Sequence, residues 1–332
     1  MMGQPEKDPN QPYPDVRSAF TLTLLAMLAA AFTGVAFIDF GLLAAVGIGQ
    51  AIGVGAVATM GAKRVPEPQA ERLGLRALDS KSIPAILCLA PAILLVSELD
   101  NFAADWSSSG SPIEISTQQP DSDGFDPDDS FDRESTESAL ETDYDPETHE
   151  DQQDEGAATD SELPAPLINP DDPWSLLSAF VVMVGISPVV EEFLFRGVIQ
   201  QGLVQRLGLL RGVTMVALLW TLLRPAPIAG FTRFLAAAIA SFGLGWALGI
   251  VRIATRSVLG SILLAAIWAS IGLGSIALEG RMKLPGMNLE GTHLPWSVTI
   301  ASALLVAWAG RTIYLEADQR FREESRRPPA KQ

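Results

Sequence analysis

Eight stretches of about twenty mostly apolar residues recur along this chain, at 18–37, 40–62, 83–99, 174–195, 209–231, 234–253, 258–278 and 296–314. A helix needs about 20 such residues to cross the hydrocarbon of a bilayer. Inside lipid each backbone N–H and C=O must find its partner within the protein, and a helix does this within one segment. The expected fold is all-α: a multi-pass transmembrane helical bundle of about eight spans. Pro84 and Pro91 interrupt the third run, and Arg224, Pro225 and Pro227 interrupt the fifth, so these two are the least regular. The first run is long and lacks a small-residue cleavage site, which reads as a retained span and not a signal peptide.

A net charge of -16 sits oddly on so apolar a chain, and its source is local. Residues 121–162 carry 18 Asp and Glu against one basic residue, Arg133, which leaves the remainder close to neutral. The stretch 100–172 is rich in charge and poor in apolar residues, too poor to bury a core, and reads as an acidic disordered linker. Within it "DSDGFDPDD" faintly resembles a calcium loop but lacks the full spacing and closing glutamate of an EF-hand. The linker divides the chain into a three-helix membrane block, 1–99, and a five-helix membrane block with a basic tail, 173–332. The acidic balance belongs to the linker and carries no information about partners of the rest. The bilayer is the expected partner, and nucleic acid is not.

Orientation follows from the basic residues between spans. Of 23 Lys and Arg, 18 fall in the N-terminus, 63–82, 196–211, 252–256 and the C-terminal tail. The alternate connections hold Arg133, Arg224, Arg233, Arg281 and Lys283. An excess of Lys and Arg marks the cytoplasmic side, so both termini are expected in the cytoplasm and the acidic linker outside. The single cysteine, Cys88, rules out a disulfide within one chain and any metal site built from several thiolates. It reads as a small apolar residue of the core.

One run carries charges that its surroundings do not explain. In "SPVVEEFLFRGVIQQ", residues 187–201, Glu191 and Glu192 end an apolar segment and Arg196 follows. Carboxylates at membrane depth are costly unless paired or hydrated, which makes them candidate functional groups. On a helix Glu192 and Arg196 are four apart and meet on one face, while Glu191 points about 100° away. Pro188, one turn earlier, is placed to kink the helix. Two carboxylates oriented by an arginine suit a general base and its positioning partner. The same cluster also suits an ion pair that only fixes packing, and both readings stay open on these residues. Trp220 and Trp268 read as packing or interface aromatics, and the small residues of "GVGIGQAIGVGAVATMGA" as a surface for close helix contact.

"EEFLFRG" resembles the EExxxR motif of the CPBP family, also called the Abi or type II CAAX prenyl endopeptidase family of intramembrane metalloproteases. The resemblance extends through "EEFLFRGVIQQGLVQRLGLLRGVTMVALLW" and "FGLGWALGIVRIATRSVLGSILLAAI", over roughly residues 175–275. It implies a CPBP-like core in the C-terminal half. It also implies Glu191 as the residue that activates water, with Glu192 and Arg196 at the adjacent motif positions. Active members would add zinc-holding histidines from FxxxH and HxxxN motifs, the asparagine stabilising an oxyanion. This chain departs there. Trp220 and Arg224 stand at the FxxxH positions, and Ala265 and Ala269 at the HxxxN positions when aligned without gaps. A shift of three residues moves the latter to Trp268 and Gly272. Only two histidines exist, His149 in the linker and His293 in the last connection. No metal cofactor is expected. Arg224 reads either as a fixed cation that pairs with Glu191 or Glu192 in place of a metal ligand, or as an arginine snorkelling to the outer boundary, and both readings stay open.

The function expected from this resemblance is a catalytically impaired homologue that binds membrane-protein or peptide clients. One rival is an active intramembrane peptidase using Glu191 as general base. Another is a membrane scaffold or transport component without peptide chemistry.

Overall fold

The computed structural model describes residues 12–108, 167–224, 230–289 and 291–326. Most of the acidic linker, its calcium-loop-like segment and His149 lie outside the described residues. Among the described residues regular structure is helical, with one isolated bridge between Pro285 and Leu289.

Helix α1, Val16–Ala36, starts where the Asp15 carboxylate accepts the Ser18 N–H at 2.9 Å. Helix α2, Leu42–Ala62, returns against it. A Cβ on Gly53 would come within 2.5 Å of the Ala30 backbone, so the small residues of α2 do set a close approach to α1. A short helix, α3 (Gln69–Leu73), leads to the third span, which breaks near Pro91 into α4 (Ile83–Leu87) and α5 (Ala92–Ser108). Helix α6 spans Pro173–Leu207, with Asp172 capping Trp174 and Ser175 N–H groups. After Gly208 come α7 (Leu209–Leu222), α8 (Phe231–Thr255), α9 (Val258–Ala277) and α10 (Trp296–Arg326).

Among the described residues seven helices are long and apolar enough to cross a membrane. The eighth apolar segment, α7, has 14 residues and so rises only about 21 Å, short of the roughly 30 Å hydrocarbon layer. Phe32, Val35, Leu304 and Trp308 stand out from the bundle, as lipid-facing side chains do. Trp106, Trp174 and Trp296 are exposed together at the end of the bundle next to the linker, the position of an interfacial aromatic belt.

Two boundaries differ from the sequence reading. Helix α5 runs to Ser108, nine residues past the expected end, although Asp100, Asn101 and Asp105 are polar. Those side chains are satisfied laterally: Asp100 pairs with Arg233 at 2.7 Å, the Asn101 amide donates to Gly286 O at 3.0 Å, and Asp105 meets His293 at 2.8 Å. Helix α6 continues from the expected end at 195 to Leu207, because Arg196 and Gln200 find partners inside the bundle. This extension sets the depth of the glutamates. The two membrane blocks also share one core, in which Leu22, Val54 and Val57 pack with Leu194, Phe195, Val198 and Leu248. Residues on either side of the linker thus build a single unit.

Candidate functional site

The depth of the charged cluster follows from an antiparallel hairpin. Helices α6 and α7 turn at Gly208, so residues equally far from it lie at similar depth. Glu191 precedes Gly208 by 17 residues and Arg224 follows it by 16. At about 1.5 Å per residue both lie roughly 25 Å from the turn. The pairing that a helix ending at 195 would have made awkward is therefore the natural one.

The structure brings Glu191, Glu192, Arg196, Trp220 and Arg224 together. Arg224 Nη2 lies 2.8 Å from Glu191 Oε2, and the Trp220 indole Nε1–H donates to the same oxygen at 3.2 Å. Arg196 Nη1 donates to Glu192 Oε1 at 2.9 Å, and its Nη2 donates to Gly245 O on α8 at 2.8 Å. The indole ring of Trp220 links the two pairs. The Arg224 guanidinium carbon stands 4.1 Å from the ring centre and that of Arg196 stands 5.0 Å from it, both within cation–π range. Glu191, Glu192, Arg196 and Trp220 are buried, whereas the Arg224 side chain is 41% exposed. Two carboxylates and two guanidiniums balance formally, which is how a bundle interior tolerates four charges.

Local backbone geometry supports this arrangement. Residues Phe193–Ile199 form a π-helical stretch, as do Phe180–Ile186, on either side of Pro188. Wider turns of this kind are frequent at functional sites and re-aim side chains. Arg196 and Gln200, four apart on α6, donate to the carbonyls of Gly245 and Gly249, four apart on α8, at 2.8 and 2.7 Å. A Cβ at Gly245 would come within 2.9 Å of Trp220, so the glycine is needed for this approach.

The other substituted motif positions lie elsewhere. Ala265 and Ala269 sit on α9 and make no part of the cluster. Trp268 packs in the core and donates its indole N–H to Leu89 O at 3.1 Å, as expected of a packing aromatic. Trp220 differs from the packing role read for it, because it is also a donor to Glu191. Gly245 and Gln200 were not singled out as site residues. Their signal was the matched four-residue spacing of donors on α6 and glycines on α8.

Zinc would have to bind through Glu191 and Glu192, and the surroundings do not fit it. A guanidinium occupies the approach to Glu191 Oε2, and the polar side chains around the pair are the two guanidiniums, the Trp220 indole and the Ser261 hydroxyl. Zinc sites take imidazole, thiolate and carboxylate ligands. Among the described residues no group of three or more His, Cys, Asp or Glu could hold a metal ion. His293 is engaged at the linker end of the bundle by Glu98 at 2.9 Å and Asp105 at 2.8 Å.

Residues 173–271 match the family model described as type II CAAX prenyl endopeptidase Rce1-like. The match runs from the start of α6 into α9 and contains the whole charged cluster. No curated protein and no solved structure matches the chain.

Proposed function

We propose that the Rce1-like domain at residues 173–271 belongs to a multi-pass membrane protein whose peptidase chemistry has been replaced by an ion-pair network, and which acts by binding peptide or membrane-protein clients. The observation that carries this reading is the 2.8 Å contact between Arg224 and Glu191. By the family resemblance, Glu191 is the group that would take a proton from water, and Arg224 stands where a metal-holding histidine would be. Two N–H donors already hold Glu191 Oε2. That oxygen is not open to water, and among the described residues no imidazole or thiolate stands beside it to hold a metal. The long α6 and its register with α8 supply a rigid frame on which a client segment docks. The distribution of basic residues supports an orientation with both termini in the cytoplasm and the acidic linker outside.

The test uses the purified full chain in proteoliposomes with a fluorescent prenylated peptide ending in a CAAX sequence, with and without added zinc. Binding detected by anisotropy without cleavage is the expected result. Cleavage that is abolished by Glu191→Gln would establish the peptidase reading instead. Neither binding nor cleavage would favour a scaffold or transport role.

A further inference from the structure

A cavity of about 460 Å³ opens at the end of the bundle away from the linker, beyond the ion-pair cluster. Its wall is formed by Arg72 of α3 and Arg76 just after it, by Arg252 and Arg256 at the end of α8, and by Arg196 and Gln200 of α6. Glu71 is the lone carboxylate among the described lining residues. Arg76 pairs with Glu71, Arg196 with Glu192 at 2.9 Å and Arg256 with Glu323 at 3.4 Å, so five guanidiniums meet three carboxylates and the wall keeps an excess of positive charge.

The wall is fastened in place by the backbone. Arg252 Nη2 donates to Arg72 O at 3.0 Å, Val258 N donates to Gly74 O at 2.9 Å, and the Ser257 hydroxyl donates to Arg76 O at 2.6 Å. Gly74 adopts φ +71, and a Cβ there would lie 2.3 Å from the Arg252 guanidinium carbon. Only glycine fits both the left-handed backbone and this contact. The chain from 72 to 76 is thus tied to the α8–α9 turn, which holds two arginine side chains along the cavity. At the inner end, Arg196 is fully buried and its Nε has no partner, although both of its Nη groups are used. That nitrogen is shielded from the cavity, so a molecule there is met by the arginines of the outer wall, Arg72, Arg76 and Arg256.

We propose that this cavity binds a phosphate-bearing anion, either the headgroup of an anionic lipid or a soluble phosphorylated molecule. Guanidinium forks match phosphate oxygens and bind them in pairs. The volume falls within the range of small-molecule sites, about 300–1,000 Å³, so it admits a headgroup and not just a bare ion. The location, level with the ends of α2 and α8, is where basic pockets between membrane helices meet lipid headgroups. The proposal does not depend on whether the Rce1-like domain is a peptidase.

The experiment follows thermal unfolding by intrinsic tryptophan fluorescence, on the full chain in phosphatidylcholine nanodiscs. Inorganic pyrophosphate is titrated in one arm, and nanodiscs containing phosphatidic acid form the other. The variant is Arg72→Gln with Arg256→Gln, and Arg211→Gln, an exposed arginine at the same end and outside the cavity, is the control. The wild type and the control rise in Tm with ligand, and the double variant binds at least about tenfold more weakly, a loss of about 1.4 kcal/mol. A rise with pyrophosphate means that a soluble phosphate suffices. A rise with phosphatidic acid alone assigns a lipid. If the double variant does not fold, Arg72→Gln alone serves, because the described hydrogen bonds of that residue are made by its backbone N–H and carbonyl; it should still weaken binding measurably. No rise in either arm, or an equal rise in the wild type and a folded cavity variant, overturns the proposal.

Discussion

Replacing Arg224 by glutamine should destabilise the bundle by about 2 kcal/mol, and the size can be worked from the contacts. Removing one partner of a fully buried ion pair costs about 3–5 kcal/mol, because the other charge is left uncompensated. Glu191 meets that condition, with its side chain 6% exposed, but the Arg224 side chain is 41% exposed. The guanidinium is half solvated, so the full figure does not apply. Trp220 Nε1 also remains on the carboxylate at 3.2 Å after the substitution. What is left is the cost of an under-satisfied buried acceptor, about 1–3 kcal/mol. Arg224→Ala loses the stacking on Trp220 as well, a further loss of about 0.5–1 kcal/mol. Glu191→Gln should cost somewhat less than Arg224→Gln, and the double variant should fall short of the sum by about 1 kcal/mol, as for residues in direct contact. The assay is reversible unfolding in mixed micelles against the mole fraction of dodecyl sulfate, read by tryptophan fluorescence and closed as a double-mutant cycle. Strict additivity, with Arg224→Gln indistinguishable from the wild type, would refute the claim that this contact joins α6 to α7.

The companion pair should be more sensitive. Arg196→Met leaves Glu192 without its cation and Gly245 O without its donor, and should cost about 3–5 kcal/mol in the same unfolding assay. Gly245→Val should cost about 1–3 kcal/mol, since a Cβ already falls 2.9 Å from Trp220, and the loss should be partly relieved by Trp220→Phe. At the linker end, Asp105 first and then Glu98 raise the pKa of His293 above its usual 6.5. A group raised on folding stabilises fully below its unfolded pKa, and the contribution is lost as pH rises through the folded value. Hydrogen exchange at Gly286–Leu294, corrected for intrinsic rates, should therefore quicken above that raised value, and His293→Gln should remove the pH dependence. A flat profile in the wild type would contradict it.

The helical, membrane-spanning character of the chain was legible from run length alone, because backbone satisfaction in lipid leaves few alternatives. The meeting of Glu192 with Arg196 was legible from spacing, since four residues is one turn. The partner of Glu191 was harder to place. Polar residues after 195 look like the end of a span, and hydropathy cannot show that Arg196 and Gln200 are satisfied by carbonyls of α8. Once α6 reaches Leu207, counting about Gly208 brings Glu191 and Arg224 to one depth. The role of Trp220 was hidden for a related reason: an indole N–H leaves no pattern in sequence. Likewise the polar face of α5 read as the start of the linker, because Gly286, His293 and Arg233, which satisfy it, lie more than 130 residues away. The fastening of Arg72 and Arg76 beside the α8–α9 turn rests on backbone bonds between distant segments and had no local signal.

We propose that Arg224 takes the place of a metal at Glu191. The most direct test is the zinc content of detergent-purified protein after equilibrium dialysis against buffered zinc, with wild type beside Glu191→Ala and Arg224→Gln. Zinc should be substoichiometric in all three. One zinc per chain in the wild type, lost in Glu191→Ala, would contradict it and return the Rce1-like domain to the metallopeptidases.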